Sequence, residues 1–290
     1  MTLIWGGLSL GAVYALVALG YNIVFTASGT FNFAHAQLLM LGTFLAYWGL
    51  AVAQWPVLAV FLLAAGAVGV VAVAEERFAI RTVRGTEAQL VTTVGVATLI
   101  NGASQLIWGS QPLTVPFFSG KGQADTTVWT LFGGRVLPVE VVLIVVAIVL
   151  AIGLIYYSRH SMTGLAVLAM AEDREAAALR GINVRMLTLG AFAVSGVLAG
   201  AVGPVVGPRT FAVATLGSAL ALKGFVALAL GGFGSIGGGV VGGFAIGLTE
   251  QYAARYFGST YVNLTIFGVL LLILLARPAG LFGRAQERMV

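Results

Sequence analysis

No charged side chain occurs in this chain before Glu75. Seventy-four consecutive residues without Asp, Glu, Lys or Arg cannot form the surface of a soluble domain, which is typically about 25% charged. The whole chain keeps the same character. It is 9% charged and 59% hydrophobic over 290 residues, with a mean hydropathy of +1.01, against about 45–50% apolar residues in ordinary globular domains. The solvent for most of this surface is lipid. In lipid every backbone N–H and C=O must find its partner inside the protein, and the long apolar runs supply that partner as helices. The expected fold class is therefore all-α: a polytopic membrane protein with about eight or nine transmembrane or half-spanning helices.

Crossing the hydrocarbon takes about 20 apolar residues. The segments that qualify are roughly 3–25, 34–50, 56–75, 88–109, 138–157, 187–206, 216–231, 236–254 and 260–276. Segments 34–50 and 216–231 are short, as expected of half-helices or tilted re-entrant pieces. The opening MTLIWGGLSL lacks the basic region of a cleaved signal, so the first segment is expected to be retained. Residues 110–137, rich in Pro, Gly, Thr and aromatic residues, predict a strand or hairpin lying over the membrane surface. No linker divides the chain, so residues 1–290 are expected to form one transmembrane domain.

The net charge of +5 is a topology signal before it is a sign of nucleic-acid binding, which nothing else here supports. Ten of the fifteen cations fall in three clusters: Arg77, Arg81 and Arg84; Arg159, Arg174, Arg180 and Arg185; Arg277, Arg284 and Arg288. By the positive-inside rule these clusters mark the cytoplasmic side, and the C-terminus with them. Lys121, Arg135, Arg209 and Arg255 fall outside, and Lys223 lies within an apolar run. Nine spans place the N-terminus outside; eight, with one re-entrant N-terminal segment, place it inside.

Glycines Gly239, Gly243 and Gly247, and the pair Gly203 and Gly207, repeat every four residues, the spacing that lets membrane helices pack backbone to backbone. GGFGSIGGG (231–239) has no following Gly-Lys-Ser/Thr and reads as a tight turn. With no cysteine there is no disulfide or thiol chemistry. His35 and His160 lack ligand neighbours at metal spacing, and no catalytic grouping stands out. Polar residues within apolar segments are then the functional candidates. These are Asn22, Ser28, Asn32 and His35 around a break at Gly29, together with Lys223 and Glu250. Both asparagines could instead satisfy backbone freed by the break, and Lys223 could snorkel to an interface.

The charge missing elsewhere is concentrated in AEDREAAALRGIN (171–183). Glu172, Asp173 and Glu175 suit the first turn of a helix and Arg180 the last, complementing its dipole. Gly181 sits where a left-handed residue would end it, and a preceding short helix, 161–171, is expected to be capped by Thr163. Together they predict a helical elbow over 163–183 on the cytoplasmic face.

Glu175-Ala176-Ala177 followed three residues later by Gly181 resembles the motif with which permeases of ABC importers dock onto their ATPases. GYNIVFTASGTFNFAHAQLLMLG (20–42), KGFVALALGGFGSIGGGVVGG (223–243) and ARPAGLFGR (276–284) resemble the permeases of high-affinity branched-chain amino acid ABC transporters, in particular the smaller H-type subunit. The importer motif normally continues with Ile-x-Leu-Pro, which LGAFAVSG (189–196) does not supply. The resemblance implies an inner-membrane prokaryotic permease that is not itself an enzyme and binds no cofactor directly. ATP would be used by two partner ATPase subunits. A second permease subunit and an extracytoplasmic binding protein would complete the complex, with membrane lipid around it. It further implies that a cytoplasmic loop over about 158–186, through Glu172, Asp173, Glu175, Ala176, Ala177, Gly181, Ile182 and Asn183, couples to the ATPase. Substrate would pass by Asn22, Ser28, Asn32, His35 and Lys223. Amides or urea are alternative substrates. A stand-alone secondary transporter or channel is the alternative class, and only Lys223 and Glu250 offer it charged groups in apolar segments.

Overall fold

The computed structural model describes residues 1–83, 85–117, 128–131 and 133–283. Arg84, Lys121, Arg284 and Arg288, used in the charge map, lie outside the described residues, as does the middle of the 110–137 loop.

All nine apolar segments are helical. They form α1 (Thr2–Ser28), α2 (His35–Tyr47), α3 (Val57–Ala74), α4 (Thr86–Trp108), α5 (Pro138–His160), α8 (Val184–Thr210), α9 (Thr215–Gly231), α10 (Ile236–Tyr256) and α11 (Val262–Ala276). Helix α2 continues through a π-helical turn to Val52, and α3 through another to Ile80. With those extensions, and with the 3-10 turn Ser259–Tyr261 that leads into α11, seven helices among the described residues are long and apolar enough to cross a membrane. The exceptions are α9, 17 residues long, and the glycine-rich α10. Two short helices, α6 (Met162–Glu172) and α7 (Arg174–Leu179), make up the charged elbow. The hairpin expected within 110–137 is two short antiparallel strands, β1 (Trp129–Leu131) and β2 (Gly134–Val136).

Backbone contact through glycine builds the core, as expected where lipid gives apolar side chains no reason to leave it. Helices α1 and α10 run antiparallel so closely that a Cβ on Gly243 would lie 2.5 Å from Ala15 N, and one on Gly11 2.7 Å from Phe244 Cα. Gly203 packs on Gly42, joining α8 to α2, and Gly200 on Ala64, joining α8 to α3.

Charge separates by end. At one end Arg174 reaches the Ser28 carbonyl, Gln89 bonds Thr30 and Val83 O, Phe25 meets Phe233, and Leu281 N bonds Leu230 O. This end gathers the described members of all three cation clusters. The opposite end holds Met1 against Gly134, Thr2 bonded to Arg135 N, and Leu113 paired with Ala212. The N-terminus and the residues after α11 thus lie at opposite ends.

One detail differs from the sequence reading. Ser161, not Thr163, caps α6 by accepting from Gly164 N at 2.9 Å. Thr163 is instead engaged with the Tyr157 hydroxyl. Glu75 and Glu76, the first charged residues of the chain, stand in the π-helical turn and are each only 4% exposed. Glu76 pairs with Arg81 at 3.2 Å.

Candidate functional site

Helix α1 ends at Gly29, whose φ of 70° is left-handed, a conformation glycine adopts freely. The chain then turns back into the bundle. Helix α2 starts level with Gly20, nine residues before the cap Gly29, since a Cβ on Gly20 would fall on the His35 ring. At a rise of about 1.5 Å per residue, the α2 N-terminus lies roughly 13 Å inside the protein.

The second half of the chain repeats this device upside down. Helix α8 has the same length as α1, 27 residues, and runs antiparallel to it, Ser195 Oγ reaching Gly20 O and Thr188 Oγ1 reaching Ala27 O. After α1 the chain reads TFNFA (30–34); from the last residue of α8 it reads TFAVA (210–214). Each pentapeptide leads into a short helix, α2 or α9, that starts without a side-chain cap. Inverted repeats of this kind put their broken helices together near the bilayer midplane. That is where α2 and α9 meet: the Gln37 carboxamide lies in the space a Gly217 side chain would fill. Gln37 and Gly217 are each the third residue of their helix.

Beside this contact is a cavity of about 330 Å³ lined by Phe33 and Gln37 from the α2 start, Ser218, Ala221 and Leu222 from α9, and Val94, Ala97, Thr98 and Asn101 from α4. The size falls at the lower end of the about 300–1,000 Å³ usual for small-molecule sites. Asn101 Nδ2 donates to Ala214 O at 2.8 Å, fixing α4 to the α9 start. Phe33 also belongs to an aromatic cluster with Phe31, Phe225 and Phe233, which runs from the cavity to the charge-bearing end.

The candidates named from sequence surround this site without forming its wall. Asn22 is fully buried and both its side-chain polar atoms lack partners among the described residues. Ser28 Oγ bonds Val24 O and Thr30 O. Asn32 Oδ1 accepts from Ala34 N at 2.9 Å, leading the chain into α2. His35 Nδ1 lies 2.8 Å from Ser195 Oγ. Lys223 Nζ contacts Glu250 Oε1 at 2.5 Å and the Tyr14 hydroxyl at 3.2 Å, so the two charged groups neutralise each other. Gln37, Asn101 and Ser218 escaped the sequence reading. The TFNFA/TFAVA repeat is the signal that could have found Gln37 and Ser218; nothing in the sequence pointed to Asn101 on α4.

In the elbow, Asp173 ends α6 and caps α7, accepting from Glu175 N and Ala176 N at 2.9 Å. Glu172 therefore closes the first helix instead of opening the second. Glu172, Asp173, Glu175, Gly181 and Asn183 are exposed, Ala176 and Ile182 half-buried, and Ala177 buried as the anchor. Gly181 has φ 86°. Arg174, absent from the sequence list, donates to Ser28 O and, at 3.0 Å, to Thr188 Oγ1. Its partial burial lowers its pKa from the ordinary value, though a guanidinium stays charged.

The family model described as "Branched-chain amino acid transport system / permease component" matches residues 3–275. The chain belongs to this permease family. It is 31% identical to the high-affinity branched-chain amino acid transport system permease protein LivH of Escherichia coli K12, covering 99% of this chain and 96% of that one. It is 30% identical to the corresponding BraD protein of Pseudomonas aeruginosa, over 98% and 96%. A more distant similarity, 26% over 59% of this chain and 43% of the other, links it to the xylose transport system permease protein XylH of E. coli. No solved structure matches significantly. The chain is thus a multi-pass membrane permease, one component of a transport system.

Proposed function

We propose that this permease is a membrane subunit of an ATP-driven importer for branched-chain amino acids. It pairs with a second permease, two ATPase subunits and an extracytoplasmic binding protein. The end bearing Arg77, Arg81, Arg159, Arg174, Arg180 and Arg277 faces the cytoplasm, by the asymmetry of Lys and Arg, and with it the C-terminus of a prokaryotic inner-membrane protein. The elbow α6–α7 is the ATPase contact: Glu172, Asp173, Glu175, Ala176, Ala177, Gly181, Ile182 and Asn183 form or support its surface. Leu179, 90% exposed at its tip, adds an apolar contact. The permease binds no cofactor itself; ATP is hydrolysed by the partners.

The observation that carries this reading is the pair of bonds made by Arg174. They tie the elbow to the last carbonyls of α1 and to the first turns of α8, the two helices whose breaks meet at Gln37 and Gly217. A displacement of the elbow by closing ATPases would be delivered to the ends of both repeats. The pathway runs past the break, where Asn22, Ser28, Asn32 and His35 supply polarity and Lys223 a charge held by Glu250. The test is Arg174→Ala in the reconstituted complex. The expected result is normal co-purification of the ATPases with hydrolysis no longer stimulated by the loaded binding protein. Unaltered stimulation would overturn the coupling route, and a chain that never recruits ATPase subunits would overturn the importer reading.

A further inference from the structure

The cavity between the starts of α2 and α9 has no assigned occupant. Four observations describe what would fit it. First, none of its nine lining residues is charged. Four of them, Val94, Thr98, Ser218 and Leu222, are exposed, so the cavity opens at the side of the bundle. Within the membrane an occupant with net charge would lack a counter-ion, an arrangement that membrane interiors avoid. Second, Gln37 is only 5% exposed, yet its Oε1 has no hydrogen-bond partner among the described residues. A buried unpaired carboxamide oxygen is costly unless something supplies a donor. Third, Thr98 and Ser218 spend their hydroxyl hydrogens on Val94 O and Thr215 O. Only acceptor lone pairs remain to face the cavity. Fourth, α2 and α9 both begin at this wall without side-chain caps. Helix starts carry partial positive charge and free N–H groups that favour an anion.

A set of acceptors, two positive helix ends and no net charge match a zwitterion. The ammonium meets Thr98 and Ser218, and Gln37 once its carboxamide turns from Gly217 into the cavity, and the carboxylate meets the helix starts. The remaining wall, Phe33, Val94, Ala97, Ala221 and Leu222, is aliphatic or aromatic and suits an apolar side chain of modest size. We infer that this cavity is the station at which the permease itself holds a neutral, aliphatic amino acid between the two inverted repeats. The inference rests on the importer reading and adds the site, the polar contacts and the exclusion of charged amino acids.

The absence of cysteine from the chain provides a direct test. Ala97→Cys, and separately Ala221→Cys, gives this subunit one thiol in the cavity wall. The complete complex is reconstituted in liposomes, treated with a small maleimide, and labelling of this chain is followed by mass spectrometry. Leucine, isoleucine and valine should slow labelling at least three-fold, while lysine and glutamate should not. Adding Gln37→Leu should raise the leucine concentration needed for protection about ten-fold. Leucine uptake by the unsubstituted complex is measured alongside. Uptake with labelling indifferent to leucine, or slowed equally by lysine, overturns the cavity assignment and leaves the importer reading standing. No amino-acid uptake at all overturns both. The two cysteine positions lie on different helices, so loss of assembly in one leaves the other to decide.

Discussion

Gln37 and Gly217 occupy equivalent positions in two inverted halves of the chain, and the side chain of the first fills the space left by the second. The pairing explains why position 217 lacks a side chain: two helix starts can converge there only if one of them is bare. Any Cβ at 217 falls on the end of a flexible side chain, not on backbone, so the fold can adapt by moving Gln37. Gly217→Ala should therefore leave the bundle assembled but push the carboxamide from its place. The expected outcome is a rise of about ten-fold in the concentration for half-maximal leucine uptake, equivalent to about 1.4 kcal/mol, with unchanged subunit stoichiometry. An unaltered uptake curve would show that the carboxamide's position is irrelevant to transport.

The elbow should be sensitive to shape more than to charge. Gly181 has open space around it, so a side chain there meets no clash and pays only for its left-handed backbone, about 1–2 kcal/mol. Gly181→Val should relieve that strain by reorienting the α7 end and abolish stimulated ATP hydrolysis. Glu175→Ala removes one exposed charge and should only reduce it. Equal rates for the two variants would contradict this ordering.

At Gly20 the constraint is packing. An added methyl collides with the fully buried His35 ring, and overpacking of this kind costs about 1–3 kcal/mol. Gly20→Ala should lower the thermal midpoint of the detergent-solubilised protein. Gly20→Ala combined with His35→Ala should recover part of the loss, because the ring that obstructs the methyl is gone. A double variant no better than the single would mean that the methyl is rejected by something else.

Lys223 and Glu250 should behave as a coupled pair. Their side chains are 22% and 16% exposed, so removing one partner should cost less than the about 3–5 kcal/mol of a fully buried pair. Lys223→Met should destabilise the protein, and Glu250→Gln added to it should restore much of the loss. Additive losses in the thermal midpoint would argue against coupling.

Orientation is testable at two exposed residues. Leu179→Cys at the elbow tip should react with an impermeant maleimide only in inverted vesicles. Tyr256→Cys, 72% exposed at the other end, should react only in right-side-out cells. Reaction of both from one side would break the charge map.

Much of this was readable in the residues. Lipid imposes its demands locally, along the chain: an uncharged run must be helical, and a Glu-Asp-Arg-Glu cluster must leave the hydrocarbon. For that reason the nine helices, the hairpin at 129–136, the turn at 232–235 and the elbow with its left-handed Gly181 follow from short windows of sequence. Even there the fine choice between Ser161 and Thr163 as a cap was lost, because it depended on Tyr157 taking the second hydroxyl. The burial of Glu75 and Glu76 in the π-helical turn was equally hidden. What only the tertiary structure decided is which polar residues share a space. His35, Asn32 and Lys223 are conspicuous by type, yet the cavity wall is made by Gln37, Asn101 and Ser218, ordinary residues separated by up to 181 positions. Gln37 and Ser218 converge because α8 repeats α1 in reverse, and Asn101 joins them through its bond to Ala214 O. A relation between antiparallel helices leaves only a five-residue echo, TFNFA and TFAVA, in the linear text. An unpaired oxygen acquires meaning only when burial removes its water, and burial belongs to the folded molecule alone.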